Sequence, residues 1–161
     1  MNIIRKAMTK TINWGIIGLG KIARKFAEDI KLVSNACLWG VASRDIEKAM
    51  DFTEKHQAEH YFGSYEALVN HPEIDIVYIA TPHVFHFENT MLCLKANKAV
   101  LCEKAFGMNA DEVGAMIKEA RQRKLFLMEA MWTRFIPATE RLLQILANRE
   151  IGEIRQRSYN W

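Results

Sequence analysis

Cysteine is scarce in this chain of 161 residues, and its three cysteines form no CxxC pair. That count and spacing argue against a disulfide framework. Cys37, Cys93 and Cys102 each lie in an apolar segment, so we expect reduced, buried thiols in a cytoplasmic protein. A catalytic cysteine would need a neighbouring base, and the sequence singles none out.

Long apolar runs and charge of one sign are also missing. No apolar run approaches about 18 residues, so no membrane-spanning helix is expected. Residues 1–10 are basic but lack the apolar core of a signal peptide, so we interpret them as a lead-in, with a targeting extension as the alternative. The net charge is +3 and charges of both signs are mixed, which indicates a solvated surface and no nucleic-acid partner.

A glycine-rich turn near the start carries the strongest local signal. The apolar residues before Gly18 predict a strand, and Gly18-x-Gly20-x-x-Ala23 leads directly into a predicted helix. Glycine permits a sharp turn and a close approach of the backbone to a pyrophosphate, and a small third residue permits close helix–strand packing. The helix directs unpaired N–H groups at the anion. This context favours a dinucleotide site over an ordinary βα turn.

Strand-like and helix-like segments alternate along the chain, which predicts an α/β fold with a doubly wound parallel sheet. The run 74–80 is almost wholly apolar, as in strands covered on both faces. The predicted extended segments are 13–17, 36–42, 61–63, 74–80, 99–102 and 125–128. Ligands of such sheets bind beyond the carboxyl ends of the strands.

The predicted helices have apolar residues at helical spacing. These stripes are Ile22, Phe26 and Ile30, with Ala23 and Ala27 beside them; Ile46, Ala49 and Met50; Val84, Phe87, Met91 and Leu94; Val113, Met116, Ile117 and Ala120; and Ala138, Leu142, Ile145 and Leu146. Ser64 and Asn109 are predicted N-caps, Asn97 is a predicted left-handed stop, and Pro137 suits the first turn of the last helix.

The end of the second predicted strand indicates which dinucleotide is bound. An acidic residue there would accept hydrogen bonds from the ribose hydroxyls of NAD. This chain has Ser43 and Arg44 instead. Because a guanidinium can hold a 2′-phosphate through two charge-assisted hydrogen bonds, the sequence favours NADP over NAD. The alternative is a solvated arginine beside Asp45, which then merely caps the following helix.

Glu103 and Lys104 close the fifth predicted strand. A lysine there could face the nicotinamide end of a dinucleotide and take the proton of a substrate hydroxyl. The alternative is an exposed Glu-Lys pair with no chemical role, worth well under about 1 kcal/mol. From these residues alone the alternative is favoured.

Two histidine pairs have spacings that could suit a metal, namely His83 with His86 and His56 with His60. Neither pair has a third ligand at a fixed offset, as zinc sites usually do. We therefore predict no metal site. His83 and His86 are instead candidates for hydrogen bonding at a cofactor.

Five stretches together resemble the Gfo/Idh/MocA oxidoreductases, and within them the branch of the dimeric dihydrodiol dehydrogenases and NADP-dependent D-xylose dehydrogenases. They occur in the family's order over nearly the whole chain, and the last is the most specific to the branch. They are residues 14–23 (WGIIGLGKIA), 41–45 (VASRD), 78–83 (YIATPH), 102–104 (CEK) and 128–135 (MEAMWTRF).

The resemblance implies a Rossmann-type fold, NADP as cofactor, and hydride transfer between nicotinamide and a sugar or cyclic diol. It makes Lys104 the catalytic lysine, which relays the hydroxyl proton. Glu103 is then expected beside the nicotinamide ribose, and Trp132 and Arg134 near the nicotinamide edge. The other implied cofactor contacts are Gly18, Gly20, Lys21 and Ile22 at the pyrophosphate, Ser43 and Arg44 at the 2′-phosphate, and Thr81, Pro82, His83 and His86 between adenine and nicotinamide. A non-catalytic dinucleotide sensor on the same fold is the alternative.

Two departures from the family pattern affect these expectations. The family motif is Glu-Lys-Pro, whereas this chain has Ala105 in the third place. Because a cis bond before alanine costs about 3–4 kcal/mol, we expect a trans bond and a displaced Lys104. Family members are also longer. We therefore expect residues 11–131 to form the NADP-binding domain and residues 132–161 to form a linking helix and the first strand of a truncated substrate and dimerisation domain.

A truncated domain implies exposed apolar surface, weak cofactor binding and poor turnover. The family is expected to form homo-oligomers, and for this chain exposed apolar patches predict non-native association.

Overall fold

The computed structural model describes residues 10–153, in which six parallel strands form a single sheet. The strands are β1 (Ile12–Ile17), β2 (Ala36–Ala42), β3 (His60–Phe62), β4 (Ile76–Ile79), β5 (Ala99–Cys102) and β6 (Leu127–Glu129). Their order across the sheet is β3-β2-β1-β4-β5-β6. This is a doubly wound, Rossmann-type sheet, and the predicted fold class is confirmed. The order reverses between β1 and β4, where ligands of such sheets bind.

Helices connect the strands on both faces of the sheet. They are α1 (Lys21–Asp29), α2 (Ile46–His56), α3 (Tyr65–Val69), α4 (His86–Lys95), α5 (Ala110–Arg123) and α6 (Pro137–Ala147). Short 3₁₀ turns cover Ile30–Leu32, His83–Phe85 and Trp132–Phe135. None of the described helices is long and apolar enough to span a membrane.

Two buried clusters form the core, one on each face of the sheet. One contains Ile17, Val77 and Val100, and the other contains Ile16, Val41 and Tyr78. Neighbouring residues of β1 fall in opposite clusters, as alternating side chains of a central strand must. The apolar run that predicted β4 is explained by this double coverage.

Predicted helix ends are confirmed by hydrogen bonds and backbone angles. Ser64 Oγ accepts from Ala67 N at 3.1 Å, and Asn109 Oδ1 accepts from Glu112 N at 2.9 Å. Asn97 has a φ of 58° and ends α4 in the left-handed conformation. These short polar side chains supply the partner that an unfinished helix turn needs.

Several predicted helix faces are correct only in part. In α1 the predicted residues Ala23 and Ala27 are buried, and so is Ile30 directly after it, but Ile22 is exposed. Ala49 and Phe52 are the buried residues of α2. The predicted Ala49 is thus confirmed, whereas Ile46 and Met50 are exposed.

The predicted stripe of α4 is correct only in part. Leu94 is buried and Met91 packs against the core, whereas Val84 is exposed and precedes the helix. His86, Asn89 and Thr90 are buried as well. These polar side chains turn inward because partners are available there, such as Thr81 Oγ1, which accepts from Asn89. Apolar spacing alone gives no sign of such partners.

Two compact units divide the chain after Ala130. The second unit contains the 3₁₀ turn Trp132–Phe135 and helix α6, in which no residue is buried. Its exposed apolar residues include Phe135, Leu142 and Leu143. The strand predicted at the end of the chain falls on residues 154–161, which lie outside the described residues, as do residues 1–9 of the predicted lead-in over residues 1–10. The domain assignment of residues 132–161 stays a prediction.

Candidate dinucleotide-binding site

The turn between β1 and α1 is built from two glycines with different roles. Gly18 has a φ of +84°, and a Cβ there would come within 2.5 Å of Thr81 N. At Gly20 a Cβ would meet no atom within 4 Å. Gly18 is therefore required by the close approach of the chain after β4, whereas Gly20 leaves open space beside the first amides of α1.

The start of α1 suits an anion. Gly20 is the N-cap and provides no side-chain capping bond, and no acidic residue lies in the first turn. The free N–H groups and the positive end of the helix dipole therefore face the open space beside Gly20. Lys21 and Ile22 are exposed here. A phosphate group fits this turn in space, charge and hydrogen-bonding capacity.

Ser43 and Arg44 follow β2 at the same edge of the sheet. Ser43 Oγ accepts from Asp45 N at 3.2 Å, and Asp45 Oδ1 accepts from the amides of Glu47 and Lys48. The carboxylate of Asp45 thus caps α2 and is occupied. Arg44 is exposed and forms no salt bridge or side-chain hydrogen bond within residues 10–153. Its guanidinium is free to bind an anion.

A cleft of about 280 Å³ joins Arg44 to the end of β4. Its wall includes Thr81 and Pro82 from the predicted site, together with Tyr65 and Asn89, which the sequence did not single out. Burial raises the pKa of Tyr65, and the nearby Arg44 partly opposes that shift. Tyr65 is therefore a neutral hydrogen-bonding group beside the arginine. Tyr65 follows the Ser64 cap and is separated from Arg44 by α2 and β3, so the sequence did not indicate that the two residues are neighbours.

The residues after β4 fall into exposed and buried groups. Pro82 and His83 are exposed, and Thr81 is buried with its hydroxyl bound by Asn89 at 3.0 Å. His86 is only 1% exposed, and its ring nitrogens lie 2.9 Å from the carbonyl of Thr81 and 2.7 Å from that of Ala105. Both nitrogens of His86 are therefore engaged inside the protein. A contact of His86 with the cofactor stays a prediction, and the engagement of both ring nitrogens does not favour it.

Glu103 and Lys104 lie beyond β5, next to the switch between β1 and β4. Glu103 is buried and accepts the hydroxyl of Tyr78 at 2.6 Å, whereas Lys104 is exposed. The second oxygen of Glu103 lies 3.3 Å from Lys104 N. Sequence reasoning missed Tyr78, although a lone hydroxyl in an apolar strand signals a buried partner.

The expected trans bond between Lys104 and Ala105 is wrong, because the structure has a cis bond there. The surrounding contacts hold this segment: His86 Nδ1 binds the Ala105 carbonyl, and Phe106 N donates to Glu129 Oε1 at 3.0 Å. The expected displacement of Lys104 rested on a trans bond and falls with it. Glu129 is the last residue of β6, and its place at a strand end was the only sequence feature that indicated a contact with this segment.

Trp132 and Arg134 belong to the second unit, in its 3₁₀ turn. Trp132 is 64% exposed. Their predicted place near the nicotinamide edge stays a prediction.

The cysteines and histidines add no further site. No group of three metal-binding side chains occurs within residues 10–153. Burial raises the pKa of Cys102 to about 12, and Cys93 is completely buried. Cys37 is only partly buried, so the prediction that all three thiols are buried holds for two of them.

The fold and this edge of the sheet define a class: dinucleotide-binding proteins with a Rossmann sheet, a glycine-rich first turn and an exposed lysine beyond the fifth strand. Residues 12–131 match the model of the Gfo/Idh/MocA oxidoreductases, described as an oxidoreductase family with an NAD-binding Rossmann fold. The chain belongs to the Gfo/Idh/MocA oxidoreductase family.

Curated relatives include a trans-1,2-dihydrobenzene-1,2-diol dehydrogenase from Sus scrofa, 45% identical over 146 residues. That match covers 89% of this chain and 44% of the relative. A D-xylose 1-dehydrogenase (NADP(+)) from Hypocrea jecorina is 39% identical over 158 residues and is covered over 40% of its length. The chain thus spans less than half the length of these relatives.

Solved structures agree with this assignment. A 3-ketoreductase from Actinomadura kijaniata in complex with NADP and TDP-benzene has a TM-score of 0.85 and 30% identity, with 91% of this chain and 45% of that chain covered. A scyllo-inositol dehydrogenase from Lactobacillus casei with NAD(H) and scyllo-inositol has a TM-score of 0.83 and 26% identity, with 90% and 43% covered. The named relatives are dehydrogenases and a reductase, which favours an oxidoreductase over a non-catalytic sensor.

Proposed function

We propose that this chain is the nucleotide-binding part of an NADP-dependent dehydrogenase acting on a sugar or a cyclic diol. The observation that carries the proposal is the open anion-binding turn at Gly20, on the same sheet edge as the free Arg44. A dinucleotide lying across this edge would place its pyrophosphate on the α1 amides. Its 2′-phosphate would then bind Arg44 and Ser43, with Thr81, Pro82 and His83 along its path.

The chemistry depends on Lys104. When bound, the nicotinamide would supply or receive the hydride. Lys104 is exposed beyond β5, where it would accept the proton of the substrate hydroxyl during oxidation and return it during reduction. Glu103 would accept hydrogen bonds from the nicotinamide ribose, and Trp132 and Arg134 would border the ring. Because the chain spans 44% of the dihydrodiol dehydrogenase, nucleotide binding is the direct test of these residues.

Calorimetric titration with NADPH and NADH tests the cofactor assignment. We expect tighter binding of NADPH, and we expect Arg44→Asp to weaken it by roughly 10- to 100-fold, because a charge-assisted pair is replaced by repulsion. NADH binding should change by less than about three-fold, since NADH has no 2′-phosphate for Arg44 to bind.

Lys48→Asp is the matched control, because it makes the same charge change on a nearby exposed residue in the first turn of α2. It should leave the preference for NADPH intact. Equal losses of NADPH and NADH in Arg44→Asp would contradict the assignment, and no heat with either nucleotide would refute the proposed function. A sugar or diol substrate and assembly into homo-oligomers are parts of the same proposal, and so is a cytoplasmic location. NADPH oxidation with candidate carbonyls tests the substrate class, and light scattering of the intact chain tests the assembly.

A further inference from the structure

We propose that Tyr78 is a positioning residue whose hydroxyl orients the Glu103 carboxylate toward the nicotinamide ribose. The inference rests on the proposed function and adds a residue that touches no cofactor itself. Tyr78 donates to Glu103 Oε1 at 2.6 Å, and the two residues are 2% and 8% exposed. A buried carboxylate needs such partners, because burial of an unpaired charge is unfavourable.

The phenol ring is itself held in place. It stacks on Phe26 with the ring centroids 3.9 Å apart and the planes 18° apart. Tyr78 pairs in register with Leu101, two residues before Glu103, so both side chains lie on one face of the sheet. The hydroxyl therefore reaches the carboxylate from a fixed direction.

The carboxylate keeps capacity for a ligand. An ionised carboxylate has about four acceptor positions. Tyr78 occupies one, and Lys104 N lies 3.3 Å from the second oxygen. No lysine or arginine forms a salt bridge with Glu103 among residues 10–153. Burial, together with the negative charge of Glu103, raises the pKa of Tyr78 well above its ordinary value, so the phenol stays a donor.

A purely structural role is the competing explanation, and affinity ratios separate the two. NADPH carries the nicotinamide riboside, whereas 2′-phospho-ADP lacks it but keeps the groups proposed to bind at Gly20 and Arg44. If Tyr78 acts through Glu103, Tyr78→Phe should weaken NADPH binding by about ten-fold, as expected for a lost hydrogen bond to a charged group. Binding of 2′-phospho-ADP should change by less than about two-fold, because Glu103 does not face that half of the ligand.

Three further variants complete the test. Glu103→Met removes both acceptor oxygens at similar volume, so adding Tyr78→Phe to it should cause no further loss of NADPH affinity. Phe52→Leu loosens the same buried cluster but leaves both the Tyr78–Glu103 hydrogen bond and the stacking partner Phe26 in place. It should lower the melting temperature and leave the ratio of the two affinities unchanged. Because only the ratio is compared, a partly unfolded sample affects both ligands equally.

The outcomes are separable. Equal losses for NADPH and 2′-phospho-ADP in Tyr78→Phe, or additive losses in the double variant, would overturn the positioning role and leave the proposed function standing. Unchanged NADPH binding in Tyr78→Phe would do the same. An unmodified chain that binds neither compound would refute the proposed function and this inference with it.

Discussion

The sharpest test of the glycine turn is Gly18→Ala, which should destabilise the fold whether or not a nucleotide is present. The new Cβ would lie 2.5 Å from Thr81 N and 2.6 Å from the Ala80 carbonyl carbon, which are backbone atoms that cannot rotate away. The φ of +84° adds about 1–2 kcal/mol for a residue with a side chain. Overpacking of this kind adds about 1–3 kcal/mol.

The expected loss is therefore about 2–5 kcal/mol in the free energy of unfolding. For a chain of this size that corresponds to a fall in Tm of roughly 4–20 °C. Urea denaturation followed by circular dichroism measures the free energy directly, and a thermal scan measures Tm. An Ala variant that unfolds at the same urea concentration as the unmodified chain would refute the close approach of Gly18 to the chain after β4.

Gly20→Ala is the matched control two residues away. Its Cβ would meet nothing within 4 Å, and the φ of −87° is accessible to alanine. The free energy of unfolding should change by less than about 1 kcal/mol. NADPH affinity should nevertheless fall by about ten-fold or more, because the methyl group occupies the space beside the α1 amides. Unchanged affinity would place the phosphate elsewhere.

Three further predictions concern stability and reactivity. Burial raises the pKa of Asp75, but the hydrogen bond from Asn13 N and other partners outweigh it, so the pKa lies below its ordinary value of 3.8. The resulting stabilisation is present above about pH 4 and lost below it, so urea titrations should show Asp75→Asn less stable at pH 7 by about 1 kcal/mol, with the difference vanishing in acid. Asn109→Ala should lower the free energy of unfolding by about 1 kcal/mol through loss of the α5 cap, measured in the same assay; no change would contradict the cap. Cys93 and Cys102 are buried with raised pKa values, so Ellman's reagent should modify them only after denaturation, and rapid modification in the native chain would contradict their burial.

Local sequence signals were sufficient to predict the order of strands and helices along the chain. Apolar runs marked each strand, and polar caps such as Ser64 and Asn109 marked helix starts. Handedness of the crossovers then limits the order of a parallel sheet. The bounds of β2 and β5 match the prediction, and the ends of the other strands differ from it by at most two residues. In β4 the hydrogen bonds between neighbouring strands end before the apolar run does, so the strand covers Ile76–Ile79 within the predicted 74–80.

The helix faces were less predictable. In α4 the inward residues His86 and Asn89 bind atoms of Thr81 and Ala105, which lie in other segments of the chain. Hydrophobic periodicity scores a polar residue as exposed and contains no term for a partner that the fold brings close. The same limitation hid Tyr78, whose aromatic ring fits an apolar strand while its hydroxyl binds the Glu103 carboxylate.

The surroundings of Lys104 show that a sequence motif can give the position of a site in the fold without indicating which residues hold it in place. The motif placed Glu103 and Lys104 at a strand end, and the structure agrees. The segment is held by side chains from three separate elements: Tyr78 of β4 on Glu103, His86 of α4 on the Ala105 carbonyl, and Glu129 of β6 on Phe106 N. None of these contacts is local in sequence, so the motif alone could not indicate them. If the proposed function is right, nucleotide binding should depend on this buried polar network as well as on the glycine turn, and variants in the network should affect the nicotinamide end of the ligand selectively.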